Sequence, residues 1–222
     1  MKQFKPLLLG LICLLTGFTL PAQEQDADAL LKSLGKNMDK ISHFEADALI
    51  KVDVDFIDIK DRKMKVKFES PDKFTFEAEG LALLPKKGLQ MDYLQLLKTS
   101  YTAISVGNEV VRNRKTSIIK VIPEAEDSDV ILAQLWIDPE LSRIMRMKTF
   151  TRKSGSYTID FDYNNNFRPL PDLLTVSFEI NNMTFPTKAM NEMMTKGFQK
   201  PDSLPKKATV IVQYSNYKIV NK

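Results

Sequence analysis

The sequence predicts a mainly β, α+β domain: one strongly curved antiparallel sheet with a single clear helix. Three observations carry this. Apolar and charged residues alternate through run after run of the chain. Turn signals separate the runs so tightly that neighbouring strands must be antiparallel. Only one segment has clear helical spacing of its apolar residues.

The first residues stand apart from that fold. Lys2 and Lys5 precede an apolar run from Leu7 to Leu20, and Ala22 supplies a small residue before the polar QEQDAD, the pattern of a cleavable export signal. A membrane anchor needs about 20 apolar residues, which this run does not reach, and no later stretch is apolar enough to span a bilayer. Cys13, the one cysteine, lies inside the run and leaves with it. The chain therefore divides into a signal peptide, residues 1–22, and one domain, residues 23–222, expected to use neither thiol nor disulfide chemistry. Without Lys2 and Lys5 the cationic residues fall from 32 to 30 against 28 acids, a net charge of +2. Acids and bases interleave along the alternating runs instead of clustering, which argues against a nucleic-acid partner.

The elements follow in order. From Asp26 to His43, Leu30, Leu31, Leu34, Met38 and Ile41 recur at helical spacing behind an Asp26 or Asp28 cap. Ala48, Ile50, Val52, Val54 and Phe56 then alternate with Lys51, Asp53 and Asp55. Ile57 and Ile59 continue with the phase shifted by one, as a bulge after Phe56 would allow. Met64, Val66 and Phe68 follow, then Phe74 and Phe76 beyond a turn at Pro71. After Gly80 comes GLALLP, whose Leu81, Leu83 and Leu84 break the alternation and read as an apolar flap. MDYLQLLKT reads as a short helix. Strands resume at YTAISV, with Gly107–Asn108 as a hairpin turn before EVVRNR. Further runs lead to a turn at Pro139, another at Gly155, a loop-rich insertion from Asn181 to Lys207, and a last strand, ATVIVQYSNYKIV. About ten strands result.

Such a sheet has one apolar face that must close on a packed interior or wrap a helix. An unfilled interior of about 500 Å³, an ordinary pocket size, would cost on the order of 12 kcal/mol. It must be plugged, open to solvent or occupied.

The order of SHFEADALIKV, SPDKFTFE, SVGNEVV and LWIDPELSRIMRM resembles the LolA-like family of periplasmic lipoprotein-sorting proteins, particularly its Bacteroidota-type forms. The resemblance covers nearly the whole chain after the signal. It implies an incomplete β-barrel lidded by helices, located in the periplasm, whose cavity takes acyl chains of lipoproteins or other lipids for outer-membrane sorting. It also implies inner- and outer-membrane transfer partners for a monomer without cofactor. Where well-studied carriers of that family hold an arginine before the turn proline, as part of the lid latch, this chain has Ser70.

Catalytic and metal chemistry find no set of residues. His43 has no second histidine or cysteine to join it. Asp53, Asp55, Asp58 and Asp61 lack the glycine and closing glutamate of a calcium loop, since Asp58 and Met64 stand there. Lys153 and Ser154 sit in a turn without an oriented base. No enzyme, cofactor or metal is expected. Met190, Met193, Met194 and Phe198 form a stripe if helical, open to three readings: a mouldable lid or rim, a packed loop helix, or a thioether copper(I) site.

The residues expected to line an acyl cavity are Ile50, Val52, Val54, Phe56, Met64, Val66, Phe68, Phe74, Phe76, Leu81, Leu83, Leu84, Trp136, Met145, Met147, Ile159 and Phe161. Each could equally be plain core. The alternative function is a cell-envelope binding or sensing module whose barrel is filled by its own side chains.

Overall fold

A computed structural model describes residues 26–54, 57–71, 73–77, 96–153, 155–164, 168–179 and 207–222. The signal segment, the Leu81–Leu84 flap, Phe56 and the methionine stripe lie outside the described residues.

Among the described residues, α1 (Ala27–Asp39) precedes ten strands. These are β1 (Ile41–Val54), β2 (Ile57–Glu69), β3 (Lys73–Glu77), β4 (Tyr101–Val111), β5 (Arg114–Pro123), β6 (Val130–Asp138), β7 (Arg143–Thr151), β8 (Gly155–Asp162), β9 (Leu173–Glu179) and β10 (Lys207–Asn221). All described pairings are antiparallel, in the order β3-β2-β1-β10-β9-β8-β7-β6-β5-β4. Among the described residues β3 and β4 end the sheet without pairing to each other, so the sheet is not closed into a barrel.

The sheet curls, and α1 shows how far. The helix touches both β1 and β4, which six strands separate in the sheet order. At about 4.8 Å per strand a flat sheet would hold them roughly 34 Å apart, far more than the roughly 10–12 Å width of a helix. The ten strands therefore wrap around α1, whose buried Leu30, Leu31, Leu34 and Met38 point into the hollow. Asp26 caps its start by accepting from the Asp28 amide at 3.0 Å.

Three local expectations change. The helix stops at Asp39, and Ile41 already belongs to β1. His43 is thus an exposed strand residue opposite Glu69 and Val220, because pairing on both sides outweighs the modest helix propensity of ISHF. Next, the run through Ile57 and Ile59 does not continue β1 across a bulge. Val54 pairs with Ile57 and Asp53 with Asp58, so the chain reverses between them and Ile57 opens β2. The phase shift is absorbed instead within β2, where Ile50 faces Arg62 and Val52 faces Ile59, leaving two β2 residues opposite Lys51.

The third change concerns Gly107–Asn108. β4 runs straight through this pair, with Ser105 opposite Ile119 and Gly107 opposite Ile118, so Val106 is the extra residue of a bulge. The reversal comes later, at Arg112 and Asn113, both at positive φ (50° and 61°), the conformation a two-residue hairpin turn requires. The turn at Pro139 is present, with Asp138 Oδ1 accepting from the amides of Glu140 at 3.0 Å and Leu141 at 3.3 Å.

Candidate functional site

The concave face is built by register. Val52, Val210, Val176, Ile159, Met147, Leu135 and Ile119 are successive cross-strand partners, one apolar row over seven strands from β1 to β5. A second row joins Ile50, Val212, Leu174 and Phe161. Because side chains alternate with period two, every member of these rows turns the same way, toward α1. Leu135 and Val212 are fully buried. Ala46, Ala48, Ala133 and Ala208 are buried on the same face, and their small side chains make room for the helix.

Toward β3 the face becomes aromatic. Phe44 opposes Phe68, and Phe68 opposes Phe74. Their ring centroids are 5.4 Å and 4.9 Å apart, Phe74 lies 6.3 Å from Phe76, and Tyr217 closes on Phe44 at 5.8 Å. These spacings are those of interacting aromatic pairs. Phe74 and Phe76 remain half-exposed on the edge strand.

A cleft of about 100 Å³ opens between α1 and the β2–β3 turn, lined by Gly35, Met38, Phe68, Pro71, Leu97 and Lys98 among others. That is well below the roughly 300–1,000 Å³ of small-molecule sites. At the turn itself, Ser70 donates its amide to Ser42 O at 2.8 Å. Lys98 Nζ donates to the Pro71 carbonyl. A cation thus reaches this turn from elsewhere in the chain, although residue 70 is serine.

Among the described residues, polar bonds tie α1 to the β6–β7 turn: the Ser33 and Ser142 hydroxyls share a hydrogen bond at 2.7 Å, and Asn37 Nδ2 donates to Leu141 O at 3.4 Å and Ser142 O at 3.5 Å. Its buried Leu30, Leu31, Leu34 and Met38 add apolar contact.

Ten of the expected cavity residues come together in this cluster: Ile50, Met64, Val66, Phe68, Met147, Ile159 and Phe161 buried, Val52, Phe74 and Phe76 partly so. Val54 belongs to β1 by its backbone; its side chain, with Phe56, Leu81, Leu83 and Leu84, lies outside the described residues. Trp136 and Met145 are a correction. They form a separate cluster with Val111, flanked by Ile118 and Tyr163. Leu135 and Ile137 face inward, so Trp136 between them must face out. There its Nε1 donates to Glu109 Oε2 at 2.6 Å, and Arg146, bonded to Asp160 at 2.7 Å, lies 5.9 Å over its ring. Phe44, Leu135, Val176, Val210 and Val212 also belong to the cluster, and the alternation in LLTVSFE and ATVIVQY marks the last three.

No protein-family model matches the chain, and no curated protein does. Solved structures do resemble it. A LolA superfamily protein from Nitrosomonas europaea aligns at 8% identity with a TM-score of 0.53, over 88% of this chain and 94% of the other. An outer membrane lipoprotein-sorting protein domain from Vibrio parahaemolyticus aligns at 11% identity and TM-score 0.53, over 87% and 93%. A DUF1329 family protein from Desulfovibrio piger aligns at 10% and 0.55, over 87% and 92%. At such identities the likeness speaks to fold, which is LolA-like.

Proposed function

We propose that this chain, with its LolA-like fold, is an exported carrier whose concave apolar face takes an acyl chain when α1 moves aside. The reading rests on one observation: an unbroken apolar row across seven strands shares one apolar cluster with the buried face of an amphipathic helix. Binding needs no catalytic group. Each CH₂ removed from water contributes about 0.8 kcal/mol, so a chain of about 14 carbons supplies on the order of 10 kcal/mol before the costs of association. Part of that gain is offset by displacing Leu30, Leu31, Leu34 and Met38, which is how a carrier can hold cargo reversibly. In this reading the cargo is a lipoprotein or another lipid travelling through the periplasm for outer-membrane sorting, handed between membrane-bound donor and acceptor.

The test is native mass spectrometry of protein purified without detergent. Bound acyl species, or a mass shift on adding lipopeptide or phospholipid, support the carrier. A bare mass under both conditions refutes it. The full burial of Leu135, Ile137 and Val212 favours a second reading, a filled envelope-binding or sensing module. A filled core would refuse an apolar fluorescent probe that a carrier takes up.

A further inference from the structure

Among the described residues, the buried serine and threonine side chains are Thr116, Ser117, Thr149 and Thr151. Three of them have hydrogen-bond partners. Thr116 Oγ1 donates to Glu109 O at 2.7 Å, Ser117 Oγ to Asn108 Oδ1 at 3.1 Å, and Thr151 Oγ1 to Gly155 O at 2.9 Å. Thr149 is 2% exposed, and its Oγ1 has no partner. A hydroxyl taken out of water without a new bond destabilises a fold, and the large majority of buried polar side chains are paired.

Register puts this hydroxyl on the concave face. Thr149 stands between Ala133 of β6 and Tyr157 of β8, one row beyond Leu135, Met147 and Ile159 and in the same parity, so it turns inward with them. Ala133, fully buried, brings only a methyl group to its side. Thr151, the next inward residue of β7, pairs with Gly155, so the Thr149 row lies toward the β7–β8 turn. The face therefore has a direction. A hydroxyl without a partner stands near that end, and apolar rows through Met147, Ile159 and Phe161 lie behind it. Followed across the strands from Ala103 to Ala208, the Thr149 row contains no charged residue. An ion there would find no counter-charge, whereas the carbonyl oxygen of an ester, an amide or a protonated acid needs only a donor.

We propose that Thr149 donates its hydroxyl to the carbonyl oxygen of the cargo's acyl group, so that the carbon chain runs from there over Met147, Ile159 and Phe161. This rests on the carrier reading and deepens it: Thr149 sets which way the chain lies and makes the face prefer an acyl chain to an alkyl chain of the same length. Val at this position would fill nearly the same space without the donor.

The test is displacement of an apolar fluorescent probe from the whole protein by two lysophosphatidylcholines of equal chain length, one ester-linked and one ether-linked, which differ only in the carbonyl. The wild-type protein should hold the ester about fivefold more tightly, the usual effect of one neutral hydrogen bond. Thr149→Val should remove that preference while leaving the ether's affinity unchanged, and Thr149→Ser, which keeps the hydroxyl, should retain it. Without ligand, Thr149→Val should raise the denaturation midpoint, because it removes a buried donor that has no partner. Equal binding of ester and ether by the wild-type protein, or a preference that survives in Thr149→Val, overturns the proposal and leaves the carrier reading standing. A Thr149→Val protein that is destabilised or fails to fold also overturns it, by giving the hydroxyl a structural partner. Displacement by neither lipid, in any variant, overturns the carrier reading and this proposal with it.

Discussion

The hydroxyls of Ser33 and Ser142 lie 2.7 Å apart, joining the middle of α1 to the turn that opens β7. Among the described residues this is one of the side-chain links that must break if the helix is to leave the concave face. Side chains this close can be replaced by a disulfide without large backbone movement. In a Ser33→Cys/Ser142→Cys variant the oxidised protein should take up an apolar probe at least about tenfold more slowly than the reduced form, the factor that about 1.4 kcal/mol of added opening cost imposes. Equal uptake in both redox states would mean that α1 is not the gate.

Trp136 reports on the opposite face. As the single tryptophan, held by Glu109 outside the main cluster, it should keep its emission spectrum when an acyl ligand binds. Trp136→Phe should cost about 1.5–3 kcal/mol of stability, the range for a bond to a charged partner, and leave ligand uptake unchanged. A ligand-dependent emission shift would place the ligand on the outer face or couple the two faces.

Two glycines should respond in opposite directions. Among the described residues neither has an atom within 4 Å of an added Cβ, but Gly107 sits at φ +131° in the β4 bulge. Gly107→Ala is expected to destabilise by about 1–3 kcal/mol through backbone strain alone. Gly35, in the interior of α1, has room and ordinary helical geometry, so Gly35→Ala should stabilise by about 0.5–1 kcal/mol. Chemical denaturation of the pair measures both.

Which of these features the sequence discloses depends on whether the signal is local. Alternation in β1, β2, β3 and β10 is local, and it gives both the strands and the inward set from Ile50 to Phe76. The same parity turns Trp136 outward, since Leu135 and Ile137 flank it, whereas its size alone points to the cavity. The β4–β5 turn is not legible from Gly107, because glycine marks bulges as well as turns, and a turn built on Arg112 and Asn113 carries no strong local sign. The hydrogen bond between Ser33 and Ser142 is not legible at all. It depends on α1 meeting the β6–β7 turn, which only the tertiary fold decides.

Alkaline pH should weaken the fold through two tyrosines. Burial raises the pKa of Tyr214 and Tyr217 above the ordinary value of 10.0. Below about pH 10 both folded and unfolded chains keep these protons, so stability does not depend on them. Above it the unfolded chain ionises while the folded one does not, and stability falls as pH rises. Tyr217→Phe should flatten that alkaline slope while costing about 1 kcal/mol at neutral pH for the lost bond to Pro171. A slope unchanged by the substitution would assign the loss to other groups.

The concave face as an acyl site can be examined directly with a fatty acid bearing a photoreactive group near its methyl end, crosslinked to the protein and mapped by mass spectrometry. The account predicts labelling of inward residues such as Val52, Phe68, Phe74 and Phe76, suppressed when α1 is locked to the β6–β7 turn. Labelling confined to outward residues around Trp136, or labelling indifferent to the lock, would contradict it.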